Sequence, residues 1–174
     1  KNYEESLEIY KKSTESDKII KVGFNHRYHP AILKAKHLFD SGEIGDLIFI
    51  RSKYGHGGRL GMEKEWRASK YLCGGGELLD QGSHLIDLVR WFAGEIDSVF
   101  GRVSTKFWNM EVEDNTFILL KSINNIDISL HVSLTNWKNI FEFEIFGTNG
   151  YLKIDGLGGS YGKESLEFGR RKLE

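Results

Sequence analysis

One stretch, residues 74–92, constrains this chain more than any other, because its pattern fits a helix with two chemically different sides. It reads GGGELLDQGSHLIDLVRWF. Wound as an α-helix from Glu77 at about 100° per residue, it places four side chains within roughly 60° of one another: Asp80, His84, Asp87 and Trp91. The opposite side is apolar and comprises Leu78, Leu79, Leu85, Ile86, Val89 and Phe92. We therefore predict an amphipathic helix whose polar stripe forms the wall of a site.

The glycines of this stretch indicate close packing and an accessible helix start. Gly82 lies within the apolar side, where glycine costs about 1 kcal/mol relative to alanine. We expect a neighbouring group there that lies too close to admit a Cβ atom. Residues 74–76 leave bare backbone at the helix N-terminus, where free N–H groups and the helix dipole favour a polar ligand.

Spacing alone leaves more than one chemistry open for the polar stripe. Asp80 and His84, four residues apart, also fit an ordinary exposed pair on a helix. Together with Asp87 they fit a divalent-metal site of a hydrolase, since nitrogen and oxygen ligands suit zinc or manganese. No second histidine pair or cysteine pair supplies the remaining ligands, which argues against that alternative, and we predict no metal site.

Composition excludes several classes of partner. A net charge of −1 gives no basic surplus to drive binding to nucleic acid or to an anionic membrane surface. The apolar runs are only a few residues long, so we predict no membrane span. The single cysteine, Cys73, excludes internal disulfides and is expected to be a small packing residue. We predict a cytoplasmic enzyme domain.

Helical and strand patterns alternate in the first part of the chain. We predict a helix over 3–16, a short apolar strand over 19–24, and a strand over 47–54. Between the two strands, Pro30 is placed to begin a helix that ends at Ser41 and Gly42. Residues 55–70 lack periodicity and are predicted to be a loop.

After Gly94 the sequence turns almost wholly to strands. We predict them over 99–107, 116–121, 126–135, 140–146 and 151–154, with a possible edge strand over 165–168. Several alternate apolar and polar residues, and turn residues at 124–125 and 149–150 indicate antiparallel pairing. The predicted fold is α+β, an open and predominantly antiparallel sheet with helices on one face. The other face is expected to meet solvent or another subunit.

The motif D-x-G-x-H-x-x-D behind G-G-G resembles the substrate-domain signature of the glucose–fructose oxidoreductase/inositol 2-dehydrogenase (Gfo/Idh/MocA) family. Three other segments resemble the same family: residues 23–30 (GFNHRYHP), the pair Trp66-Arg67, and residues 146–150 (FGTNG). The similarity runs from about residue 3 to about residue 160 and so covers nearly the whole chain.

This resemblance implies an NAD- or NADP-dependent oxidoreductase that oxidises a secondary hydroxyl of a sugar, nucleotide sugar or cyclitol. It implies that His84 is the general base and Asp80 its partner. An imidazole suits the role of the base because its ordinary pKa lies near neutral pH. The expected substrate-binding residues are Asp87, Trp66 and Arg67, and the expected cofactor-binding residues are Arg27 and Tyr28. The alternatives are a packing tryptophan beside a surface arginine for the Trp66-Arg67 pair, and a simple ion pair for Arg27.

The resemblance also implies a domain division. Residues 1–24 correspond to the last helix and strand of a Rossmann nucleotide-binding domain, and residues 25–174 to the C-terminal substrate-binding and oligomerisation domain. Because the chain contains no G-x-G-x-x-G between a strand and a helix, we expect the main cofactor-binding domain to lie outside it.

The family's open sheet face often forms an oligomer interface, so we expect a homodimer or homotetramer. The aromatic candidates for that contact are Trp108, Trp137 and Phe141. A non-catalytic sugar-binding or oligomerisation module remains an alternative.

Overall fold

The computed structural model describes residues 2–172. Its helices are α1 (Tyr3–Thr14), α2 (Pro30–Asp40), α3 (Lys70–Cys73) and α4 (Ser83–Ala93), and its strands are β1 (Leu47–Gly55), β2 (Ile96–Ser104), β3 (Asn115–Ser122), β4 (Asp127–Ser133), β5 (Ile140–Gly147), β6 (Gly150–Asp155) and β7 (Ser165–Arg170). Single 3₁₀ turns occur at Asn25–Tyr28, Met62–Lys64, Trp66–Ala68 and Gly159–Tyr161, and a π-helical turn at Leu78–Gly82 precedes α4. None of the helices in this range combines the length and the apolar character that a transmembrane span requires.

The strands form one seven-stranded sheet in the order β2-β3-β4-β1-β5-β6-β7. All neighbouring pairs are antiparallel except β1 and β4, which run parallel. The predicted open, predominantly antiparallel sheet is therefore confirmed. Its strands show the alternation of buried and exposed residues on which the prediction rested. The parallel pair in the middle was not predicted, because nothing in the local pattern of β1 specifies which strand will lie beside it.

One face of the sheet carries the hydrophobic core. Residues that alternate along the central strands are buried there, including Ile50, Leu130, Val132, Phe143, Ile145 and Leu152. α2 and α4 cover them with Ile32, Ala35, Leu85, Leu88 and Val89. Each such side chain contributes about 1.5–3 kcal/mol on burial, so this layer fixes α4 and the residues that precede it against β1 and β4.

The opposite face is open and mostly polar. Arg51 pairs with Glu144 across β1 and β5 at 2.7 Å, and Lys53 pairs with Glu142 at 3.2 Å. At the β2–β3 side the open face becomes apolar: Phe100, Phe117 and Leu119 are 76%, 56% and 57% exposed. We call these three residues the apolar patch.

Of the three aromatic residues expected on the open face, one lies in the core and two lie in loops. Phe141 is 2% exposed and lies in the core, because it shares its side of β5 with Phe143 and Ile145. That prediction was wrong. Trp108 is half-buried in the β2–β3 loop, where its indole N–H donates to the Leu134 carbonyl at 3.0 Å. Trp137 lies in the β4–β5 connection and is 62% exposed.

The predicted strand over residues 19–24 does not form. The segment is irregular, and Ile19, Ile20 and Val22 are 96%, 55% and 68% exposed. A strand needs a neighbour for its backbone N–H and C=O groups, and none of the seven strands in residues 2–172 pairs with this segment. α1 likewise has no buried residue.

The β2–β3 loop is held by one buried carboxylate. Asp114 is 0% exposed and accepts the backbone N–H groups of Lys106, Phe107 and Trp108 at 2.8, 2.8 and 2.9 Å. Burial by itself raises the pKa of Asp114, but these three donors and the Asn115 amide outweigh it and hold the pKa below its ordinary value. The ionised form is therefore the form that orders the loop.

We predict that Asp114→Asn destabilises the chain by about 1–3 kcal/mol, because one of the two acceptor oxygens becomes an NH₂ group, which accepts no hydrogen bond and faces at least one backbone N–H. Since the folded pKa lies below the unfolded one, this stabilisation is present above the ordinary value of 3.8 and is lost as the pH falls through the folded value. Urea unfolding at neutral and acidic pH measures both effects. The exposed Asp127 supplies the control, Asp127→Asn, and equal losses in the two variants would contradict the assignment.

Candidate active site

The predicted key helix is not a regular α-helix. Its first five residues, Leu78–Gly82, form a π-helical turn, and the α-helical part begins at Ser83. Such turns occur often at functional sites. The close packing expected at Gly82 is observed, because a Cβ atom there would lie 2.8 Å from Leu78 Cδ1 and 3.2 Å from Val132 Cγ2.

The three glycines have a different role from the one predicted. Gly74 adopts φ +86° and ends α3, while a Cβ atom on Gly76 would lie 2.0 Å from the backbone oxygen of Glu113. Glu77 N–H donates to that oxygen at 3.1 Å, and Leu78 N–H donates to Glu113 Oε1 at 3.2 Å. The helix start expected to bind a ligand is therefore occupied by Glu113 of the β2–β3 loop.

A cavity of about 210 Å³ lies beside the π-helical turn. We call it the pocket, and its lining consists of Met62, Trp66, Arg67, Cys73, Gly75, Gly76, Glu77, Leu79, Asp80, Met110, Val112 and Leu134. Three of the predicted site residues meet here. The Arg67 guanidinium lies 4.5 Å from the centre of the Trp66 ring, and its Nε is 3.5 Å from Asp80 Oδ2. An aromatic face beside a cation and a carboxylate suits a hydroxylated ligand.

His84 lies one helical turn after Asp80, in a stack of aromatic rings. Its imidazole stacks on that of His26 with centroids 4.0 Å apart and an interplanar angle of 23°, and the Phe24 ring approaches edge-on at 6.1 Å. Its Nδ1 is buried and has no hydrogen-bond partner in residues 2–172. No hydrogen bond between His84 and Asp80 occurs in that part of the chain, where Arg67 is the ion-pair partner of Asp80.

Burial keeps both stacked imidazoles neutral. Desolvation, followed by repulsion from His84 and His29, lowers the pKa of His26 to about 3. Its two nitrogens contact Tyr54 Oη at 3.1 Å and Asn25 Oδ1 at 3.2 Å. The pKa of His84 is lowered mainly by burial, against the opposing influence of Asp80 and Asp87. A neutral His84 can accept a proton, and its neighbouring carboxylates stabilise the charge that follows.

Asp87 and Arg27, expected to bind substrate and cofactor, bind each other. Arg27 Nε and Nη2 donate to the two Asp87 oxygens at 2.7 and 2.6 Å, and the guanidinium lies 5.2 Å from the centre of the Trp91 ring. Tyr28 is 63% exposed and accepts a hydrogen bond from Lys21 Nζ at 3.3 Å. The ion pair weighed as the alternative for Arg27 is thus present, with a buried acid rather than a surface one.

The alternative of a metal-dependent hydrolase requires a set of side chains that together hold a metal ion. Residues 2–172 contain no group of three histidine, cysteine or carboxylate side chains arranged to hold a metal ion. The π-helical turn and the Arg27 pair explain why Asp80, His84 and Asp87 face different partners.

Sequence reasoning missed several residues of the site. Glu77 is 2% exposed, and burial raises its pKa to about 8, with further contributions from Asp80 and Glu113 against an opposing effect of Arg67. Gln81 Nε2 donates to Tyr161 Oη at 2.8 Å, and the Tyr161 ring packs 5.3 Å from that of Tyr54. An acid among the leucines of the helix was a usable signal for Glu77, whereas the two tyrosines are brought together only by the fold.

A family model agrees with this architecture. The GFO/IDH/MocA C-terminal domain matches residues 32–153 of the chain. Levoglucosan dehydrogenase of Pseudarthrobacter phenanthrenivorans is 32% identical over 104 residues, which make up 59% of this chain and 27% of that protein. An uncharacterised oxidoreductase of Schizosaccharomyces pombe is 28% identical over 139 residues, 77% of this chain and 38% of that protein.

Solved structures share the fold. Levoglucosan dehydrogenase in complex with NADH has a TM-score of 0.83 at 24% identity, covering 98% of this chain and 50% of that one. The WlbA dehydrogenase from Bordetella pertussis, in complex with NADH and UDP-GlcNAcA, has a TM-score of 0.73 at 19% identity, covering 85% and 46%. The chain thus spans about half the length of these structures, and less than that of the curated relatives.

We predict that Gly76→Ala destabilises the chain strongly and distorts the pocket, because its Cβ atom would meet a backbone oxygen at 2.0 Å. Gly75→Ala is the matched control, since its Cβ atom would lie 3.3 Å from Leu79 Cβ, a much milder contact. Thermal unfolding should rank Gly76→Ala well below Gly75→Ala, and equal melting temperatures would contradict the packing.

Proposed function

The chain belongs to the GFO/IDH/MocA family, and from this premise we propose that it is the substrate-binding part of a cytoplasmic NAD(P)-dependent oxidoreductase. Its substrate would be a secondary hydroxyl of a sugar, nucleotide sugar or cyclitol. The observation that carries the proposal is the pocket, where Trp66, Arg67 and Asp80 meet one helical turn before His84. Relatives support the substrate class: a solved structure of levoglucosan dehydrogenase contains levoglucosan, and one of the WlbA dehydrogenase contains UDP-GlcNAcA.

In this proposal His84 is the general base. It accepts the hydroxyl proton of the substrate, a role for which its lowered pKa keeps it neutral at pH 7. Asp80 stabilises the resulting imidazolium through space, since the two acids Asp80 and Asp87 both favour the charged form. The nicotinamide cofactor supplies the hydride acceptor. His26 holds the His84 ring in place by stacking.

Trp66 and Arg67 would bind the sugar. The 54% exposed Trp66 ring offers a flat apolar surface to the C–H groups of a pyranose, and Arg67 offers several N–H donors to its hydroxyls. Asp87, expected to bind substrate as well, would act instead through Arg27, whose orientation it fixes.

The Arg27 side chain has a donor that Asp87 does not use, which supports a contact to the cofactor. Asp87 engages Nε and Nη2 of Arg27, which leaves Nη1 as a donor, and 37% of the Arg27 side chain is exposed. We propose Arg27 and Tyr28 as the contacts of this chain to NAD or NADP. We also propose that residues 1–24 belong to the nucleotide-binding domain, because the apolar side chains of α1 and of residues 19–22 are exposed, and that residues 25–174 form the substrate domain.

We propose in addition that the open face joins copies of the chain into a homodimer or homotetramer. The apolar patch supports this, since Phe100, Phe117 and Leu119 together expose large side chains on one surface. Buried against a second copy, they would supply the apolar centre that an obligate interface requires.

In the full-length enzyme, His84→Ala should lower kcat by about 10²–10⁴-fold, the usual contribution of a positioned general base. Asp80→Asn should lower kcat less, by weakening the stabilisation of the imidazolium.

Wild-type kcat should fall on the acid side through an ionisation below the ordinary histidine pKa of 6.5, because burial lowers the pKa of His84.

The measurement is kcat against pH with a panel of neutral sugars and polyols. His37, an exposed histidine on α2, supplies the control His37→Ala, which should leave the profile unchanged. An acid limb that persists in His84→Ala would rule out His84 as the base. Sugar binding without turnover in the wild type would favour a non-catalytic module.

For the interface, Leu119→Lys should shift the chain towards monomer, because a buried lysine without a partner disfavours association. Light scattering after size exclusion measures the mass. Leu60→Lys is the control, since Leu60 is 97% exposed and lies outside the sheet. A wild-type chain that is monomeric at high micromolar concentration would refute the proposed interface.

A further inference from the structure

Glu77 is a buried acid that the proposed proton transfer does not use. Only 2% of the residue is exposed, yet it lines the pocket. Its Oε1 is buried and has no hydrogen-bond partner in residues 2–172. An unpaired buried polar atom costs about 1–3 kcal/mol. In native proteins such an atom calls for an explanation, and a bound molecule that completes its hydrogen bonding is one.

The groups around Glu77 decide which form of its carboxyl the pocket contains. Asp80 approaches from the π-helical turn and Glu113 from the β2–β3 loop, and both carboxylates disfavour a further negative charge. Arg67, in the turn that precedes α3, favours the charged form of Glu77 and so opposes the two carboxylates. Its guanidinium lies against Trp66 and Asp80.

On the remaining side, the phenols of Tyr54 and Tyr161 also interact with Glu77, from β1 and from the Gly159–Tyr161 turn. Burial adds the largest contribution and raises the pKa of Glu77 to about 8. The carboxyl is therefore uncharged at pH 7, with one O–H donor and one carbonyl acceptor.

We propose that Glu77 is a specificity-determining residue of the pocket, whose uncharged carboxyl donates an O–H hydrogen bond to a hydroxyl of the sugar bound beside Trp66 and Arg67. The inference rests on the proposed function of the pocket as a sugar site. A hydroxyl both donates and accepts, so it matches the two atoms of a neutral carboxyl. A substrate that presents a carboxylate at this point would instead be repelled by the negative charges of Asp80 and Glu113.

The first experiment measures Glu77 in this chain without any cofactor. Side-chain carboxyl carbons of glutamate are labelled with ¹³C and followed by NMR between pH 4 and pH 10. One resonance should titrate near pH 8, and it should be absent from Glu77→Gln but present in Glu8→Gln, a control at an exposed position on α1. Titration of every glutamate in the ordinary range would overturn the proposal.

The same titration tests contact with the ligand. D-glucose, D-xylose and myo-inositol are added at saturating concentration. A sugar that hydrogen-bonds to the uncharged carboxyl stabilises that form and moves the titration of Glu77 to higher pH. If none of the three shifts it, Glu77 does not contact such ligands and the proposal fails, whatever the outcome of the activity assays.

Steady-state kinetics of the full-length enzyme distinguish an effect on KM from an effect on kcat. With the best neutral sugar, wild-type KM should rise as the pH passes about 8, while kcat changes little. Glu77→Gln, which retains an uncharged donor, should keep the low KM and lose its rise with pH. Glu77→Leu should raise KM about 5–30-fold, as expected for the loss of 1–2 kcal/mol.

A KM of Glu77→Leu equal to that of the wild type would overturn the inference. Absence of all sugar oxidation by the full-length protein would refute the proposed function instead. The NMR titrations on this chain would still decide the role of Glu77 in that case.

Discussion

The site depends on one close backbone contact, that of Gly76 with the carbonyl of Glu113. No side chain fits between them, since a Cβ atom on Gly76 would lie 2.0 Å from that oxygen. The contact attaches the β2–β3 loop to the start of the key helix, where Glu113 also accepts the N–H groups of Glu77 and Leu78. Asp114, the next residue, orders the rest of the loop from within. Through these bonds the loop closes the pocket and buries Glu77.

Burial shifts the pKa values of the two kinds of titratable group beside the pocket in opposite directions. It lowers the pKa of His84 and of His26 and raises that of Glu77, and in each case the neutral form is favoured because the charged form loses its hydration. Asp80 remains exposed on the same turn, with 60% of its side chain accessible. The helix therefore presents a neutral base, a neutral acid and a carboxylate within a few residues. The regular α-helix expected from the sequence would not have suggested this division.

Local patterns in the sequence predicted the strands and the helices well, and long-range contacts less well. The period-two alternation of β4 and β5 predicted both strands, and the same alternation places Phe141 in the core rather than on the open face. The apolar run over residues 19–24 predicted a strand that lacks a neighbour in the described sheet. The meeting of Trp66, Arg67 and Asp80 was suggested by a resemblance between motifs. The Arg27–Asp87 pair and the stack of His26 on His84 join residues about 60 apart in the chain, and no local pattern encodes them.

The position of β1 has a consequence for how the chain reaches its native state. On one side of it lie β2, β3 and β4, and on the other β5, β6 and β7, and each group consists of strands that are neighbours both in sequence and in space. Each group can therefore form through short loops. β1 precedes both groups in the chain but lies between them, and its parallel pairing joins Phe49 to Asp127. That pairing must close a long loop, which carries a larger entropic cost than a hairpin. We expect the insertion of β1 to be the slow event of folding, and the two three-stranded groups to precede it.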